Sequence, residues 1–321
     1  MPRASVTRFS AILGHARAGE FLRTAVANDR LAHALVFAGP DGVGKRSVAL
    51  ALAAWQQCAA PSPSDACGDC APCRQIAAGS HPDVQLVAVA TGKKEIGVDR
   101  MRDLKRFMQL QPLCGKAKVA IIDNAHMLTV AAQNALLKTL EEPPSRSLLI
   151  LVANNPDALL PTVRSRCQRL HFFALDTDSV VGILVAHGID AAAAREVAAL
   201  AEGSPGRALA LSTTLTGAGR EHLRQQLATL GRARYVDVMQ LAGEMGQPEA
   251  EVGVKLEMLL SLYRDDAMRA LAASRAVAED SLGAILRRAD AVSDSWNAVR
   301  QGNPNRQLLL EALLLRLASI V

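Results

Sequence analysis

Four cysteines in the first quarter of the chain have the spacing of a metal site. Eight residues separate Cys58 from Cys67, and two residues separate Cys67 from Cys70 and Cys70 from Cys73. Short C-x2-C spacing allows neighbouring thiolates to converge on one tetrahedral Zn²⁺ ion. Four thiolates fill the coordination shell and leave no open position for catalysis, so we predict a structural zinc module at residues 58–73. The alternative interpretation is four free, reduced thiols.

A glycine-rich segment has the pattern of a phosphate-binding loop. Residues 39–45 match G-x-x-x-x-G-K, in which inward-turned backbone N–H groups and a helix N-terminus hold phosphate. The position after Lys45 normally carries Ser or Thr, whose hydroxyl binds Mg²⁺, and here it is Arg46. Two interpretations stay open, a loop that binds nucleotide and a phosphate-free turn kept for its shape. The predicted nucleotide-binding residues are Gly39, Gly42, Gly44, Lys45 and Asp123.

A second departure from an active ATPase follows the apolar run Val119–Ile122. Asp123 is suited to holding Mg²⁺, and an ATPase of this class then needs a Glu to orient the attacking water. Asn124 stands there instead, and an amide cannot accept a proton from water. Arg46 and Asn124 together predict that the isolated chain is not an enzyme. Asn154 is either a candidate sensor of the γ-phosphate or part of a strand-ending turn.

The segment Val163–Cys167 contains two arginines. The planar guanidinium of arginine is permanently charged and matches the oxygens of a transferred phosphoryl group. It is therefore suited to completing the active site of a neighbouring subunit. We predict that Arg166, in preference to Arg164, is such an arginine finger acting in trans. The alternative is an ordinary surface ion pair.

Alternating strands and helices must position these groups. The apolar runs Ala34–Ala38, Val119–Ile122 and Leu148–Ala153 predict three buried strands, and helical patterns occupy Lys45–Gln57 and Ala131–Glu142. This alternation is typical of an α/β fold with a parallel sheet and helices on both faces. After about Phe173 only helical patterns occur. We therefore predict a P-loop-type α/β domain followed by helical domains.

Composition limits the remaining classes of protein. Of 321 residues, 50% are hydrophobic and 3% are aromatic, which predicts a globular chain of two or three domains, richer in helix than in sheet. The formal net charge of +5 permits contact with DNA without requiring it. No apolar run reaches the ~20 residues of a membrane span and the first 14 residues show no signal-peptide pattern, so we expect a cytoplasmic protein. Cys114 and Cys167 are expected to be buried.

Together these features resemble the AAA+ clamp-loader family of bacterial DNA polymerase III. The resemblance covers the first two-thirds of the chain and rests on the four cysteines and on four segments, His33–Pro40, His81–Asp83, Asn134–Pro144 and Ser165–Cys167. Within this family, the gamma and tau subunits carry the Mg²⁺-binding and water-positioning residues that are missing here at Arg46 and Asn124. The resemblance therefore favours the non-hydrolysing branch of the family, as does the segment Gly203–Gly206.

The resemblance implies three structural parts and a set of partners. The parts are an AAA+ domain at residues 1–173 with the inserted zinc module, a small helical lid at 174–212, and an all-α collar for oligomerisation at 213–321. The partners are the gamma or tau subunits and the delta subunit of a hetero-pentamer, which loads the sliding clamp on primed DNA. Arg166 would then enter the ATP site of an adjacent gamma or tau subunit. The implied cofactor is structural Zn²⁺, whereas ATP binding stays open.

The helical pattern Val98–Met108 adds a hypothesis about DNA. Arg102, Lys105 and Arg106 share one helix face, which is able to follow phosphates of primed DNA without reading sequence. A solvated basic face is the alternative. Two other functions stay open for the chain as a whole. One is an ATP-hydrolysing motor like gamma or tau, and the other is a zinc-pinned DNA-binding adaptor with salt-sensitive affinity for DNA.

Overall fold

The computed structural model describes residues 8–90, 92–114, 116–214, 223–227, 230, 234–246, 252–272, 278–302 and 304–320. The chain divides into two compact units, one up to residue 207 and one from residue 208. The predicted domain boundaries at residues 173 and 212 stay a prediction. Residues 1–7 of the N-terminal segment, and residues 215–222, 228–229, 231–233, 247–251, 273–277, 303 and 321 of the predicted collar, lie outside the described residues. Within the described ranges, none of the helices combines the length and the apolar character that crossing a membrane requires.

A five-stranded parallel sheet forms the centre of the first unit. Its strands lie in the order β2-β3-β4-β1-β5 and have the bounds β1 Ala34–Ala38, β2 Val84–Val87, β3 Lys118–Ile122, β4 Ser147–Ala153 and β5 Gln168–His171. Every residue of β1 and β3 is buried, and successive side chains of a strand point to opposite faces. Helices and loops therefore cover both faces, and the predicted α/β fold with a parallel sheet is confirmed.

Two strands of this sheet, β2 and β5, are absent from the sequence-based prediction. They are the two edge strands, and each has four residues. Only Val87 of β2 and Leu170 of β5 are buried. An edge strand that is largely exposed lacks the continuous apolar run that predicts β1, β3 and β4. The hydrophobic pattern of the sequence therefore does not indicate it.

The helices up to the unit boundary agree with the predicted alternation. Their bounds are α1 Ala16–Ala27, α2 Lys45–Gln57, α3 Ala71–Ala77, α4 Val98–Gln109, α5 Val130–Glu141, α6 Pro161–Arg164, α7 Thr177–Ala186, α8 Ala191–Leu200 and α9 Pro205–Thr214, which crosses the boundary. Helix α5 begins at a cap in which the Thr129 hydroxyl accepts a hydrogen bond from Ala132 N at 3.2 Å. It ends one residue before Glu142, because the following Pro143 disfavours helix there.

A buried ion pair ties strand β2 to the start of β3. Asp83 is fully buried and lies 2.8 Å from Lys118 Nζ. The same carboxylate accepts hydrogen bonds from the backbone N–H groups of Leu113 and Cys114, each at 2.8 Å. Lys118 also lies over the ring of Phe107, 4.6 Å from its centre. Asp83 therefore fixes the connection between α4 and β3 from inside the fold.

The regular secondary structure described in the second unit is all helical. Its longer helices are α10 Tyr235–Met245, α11 Val252–Ala272, α12 Ala278–Gln301 and α13 Arg306–Ser319. Leu256 and Leu259 of α11, Val292 of α12, and Leu310 and Leu314 of α13 are fully buried in one apolar cluster. The predicted all-helical character of this region is therefore confirmed for the described residues. Its predicted role as an oligomerisation collar stays a prediction.

Candidate functional site

The glycine-rich loop connects β1 to α2 at the carboxyl edge of the sheet, where parallel α/β folds bind ligands. Gly42 and Gly44 have φ values of +68° and +105°, which favour glycine. A Cβ atom on Gly42 would also lie 2.3 Å from the Ser204 hydroxyl oxygen. The sequence signature has therefore folded into a turned loop that leads directly into Lys45.

Lys45 is directed into this loop. Its Nζ donates hydrogen bonds to the carbonyl oxygens of Gly39, at 2.8 Å, and Pro40. The residue is 3% exposed, and burial lowers the pKa of its ammonium, opposed by the nearby charges of Asp41 and Asp123. In the motif, this ammonium is expected to contact the β- and γ-phosphates. Here it donates hydrogen bonds to its own loop.

Arg46 forms an ion pair with the carboxylate predicted to bind Mg²⁺. Arg46 Nη1 lies 3.3 Å from Asp123 Oδ2, and Asp123 is largely buried with 14% of its side chain exposed. The other carboxylate oxygen accepts a hydrogen bond from Asn124 N at 3.1 Å. A guanidinium and Mg²⁺ compete for the same negative charge. The residues present therefore do not fit a nucleotide held through Mg²⁺ in the usual way.

Asn154 is connected to the region around Asp123 by a hydrogen bond to His126. The backbone N–H of Asn154 donates to His126 Nδ1 at 3.3 Å, which places the proton of a neutral His126 on Nε2. Burial lowers the pKa of His126, and the neighbouring charges of Asp41, Lys45 and Asp123 act on the same ring. The predicted nucleotide residues and Asn154 are thus brought together at one edge of the sheet.

The segment Gly203–Gly206 closes over the glycine-rich loop. Gly206 N donates to the carbonyl oxygen of Gly42 at 2.8 Å, and the Ser204 side chain lies against the same glycine. On the other side of the loop, His15 Nε2 lies 2.6 Å from the carbonyl oxygen of Val43. Sequence analysis assigned no role to His15 or His126, because their contacts are long-range and follow no local spacing. The Gly-Ser-Pro-Gly break was the only local signal for the closing segment.

Arg166 lies between α6 and β5 and is held at the surface. Its guanidinium contacts Glu141 of α5 at 2.9 Å and donates to the carbonyl oxygen of Thr162 at 3.0 Å. The side chain is 38% exposed. Its recorded partners in the described chain lie on α5 and α6 or beside them, and the glycine-rich loop is not among them. Arg164 pairs instead with Asp157. Arg166 thus forms a surface ion pair, as the alternative interpretation expected, and its guanidinium is accessible to a neighbouring molecule.

The four predicted metal ligands converge. The sulfur atoms of Cys58, Cys67, Cys70 and Cys73 all lie within 4.8 Å of one another. The Cys58 and Cys70 sulfur atoms are 3.9 Å apart, and a tetrahedral ion with Zn–S bonds of about 2.3 Å needs sulfur atoms about 3.8 Å apart. Cys67 N and Cys70 N each donate to the preceding cysteine sulfur at 3.3 Å. The donor set and its spacing fit one structural Zn²⁺ ion.

The surroundings shift the pKa values of these thiols in different directions. Burial raises the pKa of Cys58 and Cys73. At Cys70, burial raises the pKa but is outweighed by hydrogen bonds from the backbone and from neighbouring cysteine side chains, which lower it to about 6. Of the two other cysteines, Cys167 is half-buried, and burial raises its pKa to about 12, whereas Cys114 is exposed. The prediction that Cys114 is buried is wrong. Cys114 lies on the connection between α4 and β3, where Asp83 accepts a hydrogen bond from its backbone N–H while its side chain stays exposed.

The cysteine loop is anchored to the N-terminal segment. The Asp65 carboxylate accepts hydrogen bonds from Phe9 N at 2.8 Å and Ser10 N at 2.9 Å. The Phe9 ring meets the ring of Trp55 edge-on at 5.7 Å, and Trp55 N–H donates to the carbonyl oxygen of Ser62. The loop thus packs on α2, the helix that begins at the glycine-rich loop.

The predicted DNA-binding face on α4 is partly neutralised. Arg102 pairs with Asp99 at 2.8 Å, and Arg106 pairs with Asp103 at 3.5 Å. Both arginines are well exposed, and Lys105 is half-buried between them. The three residues share one face as predicted, but two of the three charges are engaged with acidic side chains on their own helix.

Comparisons with known proteins show the family of the chain. A protein family described as DNA polymerase III, delta subunit, matches residues 14–176, which contain the loop, the cysteines and Arg166. DNA polymerase III subunit delta' of Escherichia coli (strain K12) is 33% identical over 300 residues, covering 89% of this chain and 88% of that relative. The chain belongs to the DNA polymerase III delta' family.

The other branch of the clamp-loader family matches less completely. DNA polymerase III subunit tau of Escherichia coli (strain K12) is 34% identical over 266 residues, covering 78% of this chain but 40% of tau. The resemblance inferred from the motifs is therefore confirmed, and the Escherichia coli delta' subunit is matched over most of its own length. A gamma subunit-related protein of DNA polymerase III from Thermotoga maritima supports the AAA+ fold, with a TM-score of 0.51, 17% identity, and coverage of 94% of this chain and 99% of that chain.

Proposed function

We propose that this delta' family member acts as a non-hydrolysing subunit of a DNA polymerase III clamp loader in the cytoplasm. In this role it joins gamma or tau and delta subunits in a hetero-pentamer that loads the sliding clamp on primed DNA. The observation that supports a non-hydrolysing role is the ion pair between Arg46 and Asp123. It engages the carboxylate that Mg²⁺ needs, and Asn124 adds no group able to accept a proton from water.

The contribution of the chain to ATP hydrolysis is proposed to come from Arg166. A transferred phosphoryl group is stabilised by positioned positive charge, and a guanidinium can meet two of its oxygens at once. Glu141 holds Arg166 in a defined orientation at the surface. Exchanging this exposed carboxylate for phosphate oxygens of a neighbouring subunit costs little, because an exposed ion pair contributes about 0–1 kcal/mol.

DNA contact is proposed as a secondary role of α4. The proposed contact is between DNA phosphates and one face of α4, which carries Arg102, Lys105 and Arg106. Such contact does not recognise bases. Because Asp99 and Asp103 pair with two of these charges, the face suits weak, salt-sensitive contact inside an assembled complex. Such weak contact favours a clamp-loader subunit over a free-standing DNA-binding adaptor.

The deciding experiment measures steady-state ATP turnover of a reconstituted clamp loader with clamp and primed DNA. Arg166→Ala is expected to remove the turnover contributed by the ATP site next to this chain, because a trans arginine is worth on the order of 10³–10⁵ in rate. Arg166→Lys is expected to restore little of it, since lysine lacks the planar fork. The isolated chain is expected to show no turnover.

Glu141→Gln is the matched control. It removes the carboxylate of the same ion pair but leaves the guanidinium in place, so turnover should fall far less than in Arg166→Ala. Assembly of each variant is followed by gel filtration, so that a loss of the complex is not mistaken for a loss of catalysis. ATP turnover by the isolated chain would support a motor like gamma or tau. Unchanged turnover in an intact Arg166→Ala complex would exclude the trans role.

A further inference from the structure

A cavity within the second unit combines an apolar lining with several cationic groups. Its volume is 310 Å³, and leucine side chains, among them the buried Leu262 and Leu317, form the apolar part of its lining. Small-molecule sites in proteins have volumes from about 300 Å³ upward and combine apolar walls with a few polar groups. The cavity therefore has the size and lining of a site for a compact organic molecule.

Among the described residues that line the cavity, the positively charged side chains outnumber the negatively charged ones. Its charged side chains are one aspartate, Asp266, and three arginines, Arg224, Arg269 and Arg288. Arg224 lies 3.4 Å from Asp266 Oδ1, and Arg269 pairs with the same oxygen. Asp266 thus engages Arg224 and Arg269, whereas among the described residues no acidic side chain pairs with Arg288, whose positive charge favours an anion.

Two polar groups of the lining are suited to hold the head of such an anion. Arg288 donates through one nitrogen to the carbonyl oxygen of Ile320, and a guanidinium has five N–H donors in all. Tyr263 is 6% exposed, and burial raises the pKa of its phenol to about 12, so its hydroxyl stays a hydrogen-bond donor. No hydrogen bond of this hydroxyl to another described residue is recorded. Arg288 is close enough for its charge to act on the phenol.

We propose that this cavity binds a small organic oxyanion. The carboxylate or phosphate head meets Arg288 and the Tyr263 hydroxyl, and an apolar body about the size of one or two amino-acid side chains lies against the leucines. The site is separate from the glycine-rich loop and from Arg166, which belong to the first unit. It therefore offers a second binding function for this chain, independent of its part in ATP hydrolysis.

The test titrates phenyl phosphate and benzoate into the full-length chain by isothermal calorimetry. Both should bind, and both should bind more weakly at high salt, because exposed charges are screened. Their relative affinities identify which oxyanion head the site prefers. Benzyl alcohol has a similar apolar body without charge and should bind at least about tenfold more weakly, since a charge-assisted hydrogen bond is worth about 1.5–3 kcal/mol.

Two substitutions locate the site. Arg288→Gln should weaken binding about tenfold or more, whereas Arg287→Gln, which changes the neighbouring residue outside the cavity lining, should leave binding unchanged. Tyr263→Phe removes only a hydroxyl and should weaken binding several-fold. If Arg288→Gln does not fold, Tyr263→Phe still tests the site, because its fold is readily checked by circular dichroism. Equal binding of benzyl alcohol, no binding of either anion at millimolar concentration, or wild-type affinity in Tyr263→Phe would overturn the proposal.

Discussion

The buried pair of Asp83 and Lys118 allows a sharp prediction about stability. Asp83→Asn keeps the size of the side chain but removes its charge and one of its acceptor oxygens. The Lys118 ammonium, whose side chain is 3% exposed, is then left without its carboxylate 2.8 Å away. The amide nitrogen of asparagine is a donor, so the backbone N–H of either Leu113 or Cys114 also loses its acceptor.

The expected loss follows from these contacts. Removing one partner of a buried ion pair costs about 3–5 kcal/mol, because the other charge remains buried without compensation. For a unit of roughly 200 residues, each kcal/mol lowers Tm by about 2–4 °C, so the expected fall is about 6–20 °C. An exposed pair gives the comparison. Asp99→Asn opens the pair with Arg102, whose side chains are 87% and 65% exposed, and should cost less than about 1 kcal/mol.

The assay is urea and thermal unfolding of the full-length chain followed by circular dichroism. The double variant Asp83→Asn/Lys118→Met removes both charges and should recover most of the loss, since a buried pair is often replaceable by apolar side chains. The reasoning fails if Asp83→Asn destabilises no more than Asp99→Asn. It also fails if the double variant is as unstable as Asp83→Asn, because the cost would then come from the backbone contacts and not from an uncompensated charge.

Three further predictions concern the site. Cys73→Ser should abolish stoichiometric zinc binding, measured with a chromogenic chelator, whereas Cys114→Ser should retain the ion; zinc retained by Cys73→Ser would contradict the four-thiolate site. Arg46→Thr should give the isolated chain Mg²⁺-dependent affinity for ATP by freeing Asp123, and affinity equal to wild type would show that the ion pair does not close the site. Burial lowers the pKa of His15 below its ordinary value of 6.5, so its contribution to stability is complete above pH 6.5 and is lost as the pH falls towards the folded-state pKa. His15→Gln should therefore flatten the fall of the unfolding free energy between pH 7.5 and 5, and equal slopes would refute this.

The sequence predicts those parts of the fold whose signals are local. Strand β1, the glycine-rich loop and the start of α2 follow from a continuous apolar run, a glycine pattern and a helical repeat, and the structure has all three at the predicted residues. Strands β2 and β5 were missed, because an exposed edge strand is defined by its pairing with a neighbour rather than by its own pattern. Pairing is a long-range property, and spacing along the chain does not encode it.

The same distinction applies to the site. The spacing of the four cysteines predicts their convergence, because three of them are separated by two residues each and lie on one short loop and helix. Glu141, which holds Arg166, lies 25 positions earlier in the chain, and nothing in the local pattern joins the two. Sequence reasoning could therefore not predict the ion pair that holds Arg166, and the trans role of Arg166 stays a prediction.

Arg46 shows what the structure adds to a motif. In the sequence, Arg46 and Asn124 are two separate departures from an active ATPase. In the structure they meet at one carboxylate, because Asp123 accepts from the Arg46 guanidinium through one oxygen and from Asn124 N through the other. Freeing the carboxylate by Arg46→Thr supplies a metal ligand but no group that orients water, since Asn124 remains an amide. The single variant should therefore gain Mg²⁺-dependent binding without turnover, and hydrolysis by the single variant would show that Asn124 is not a barrier.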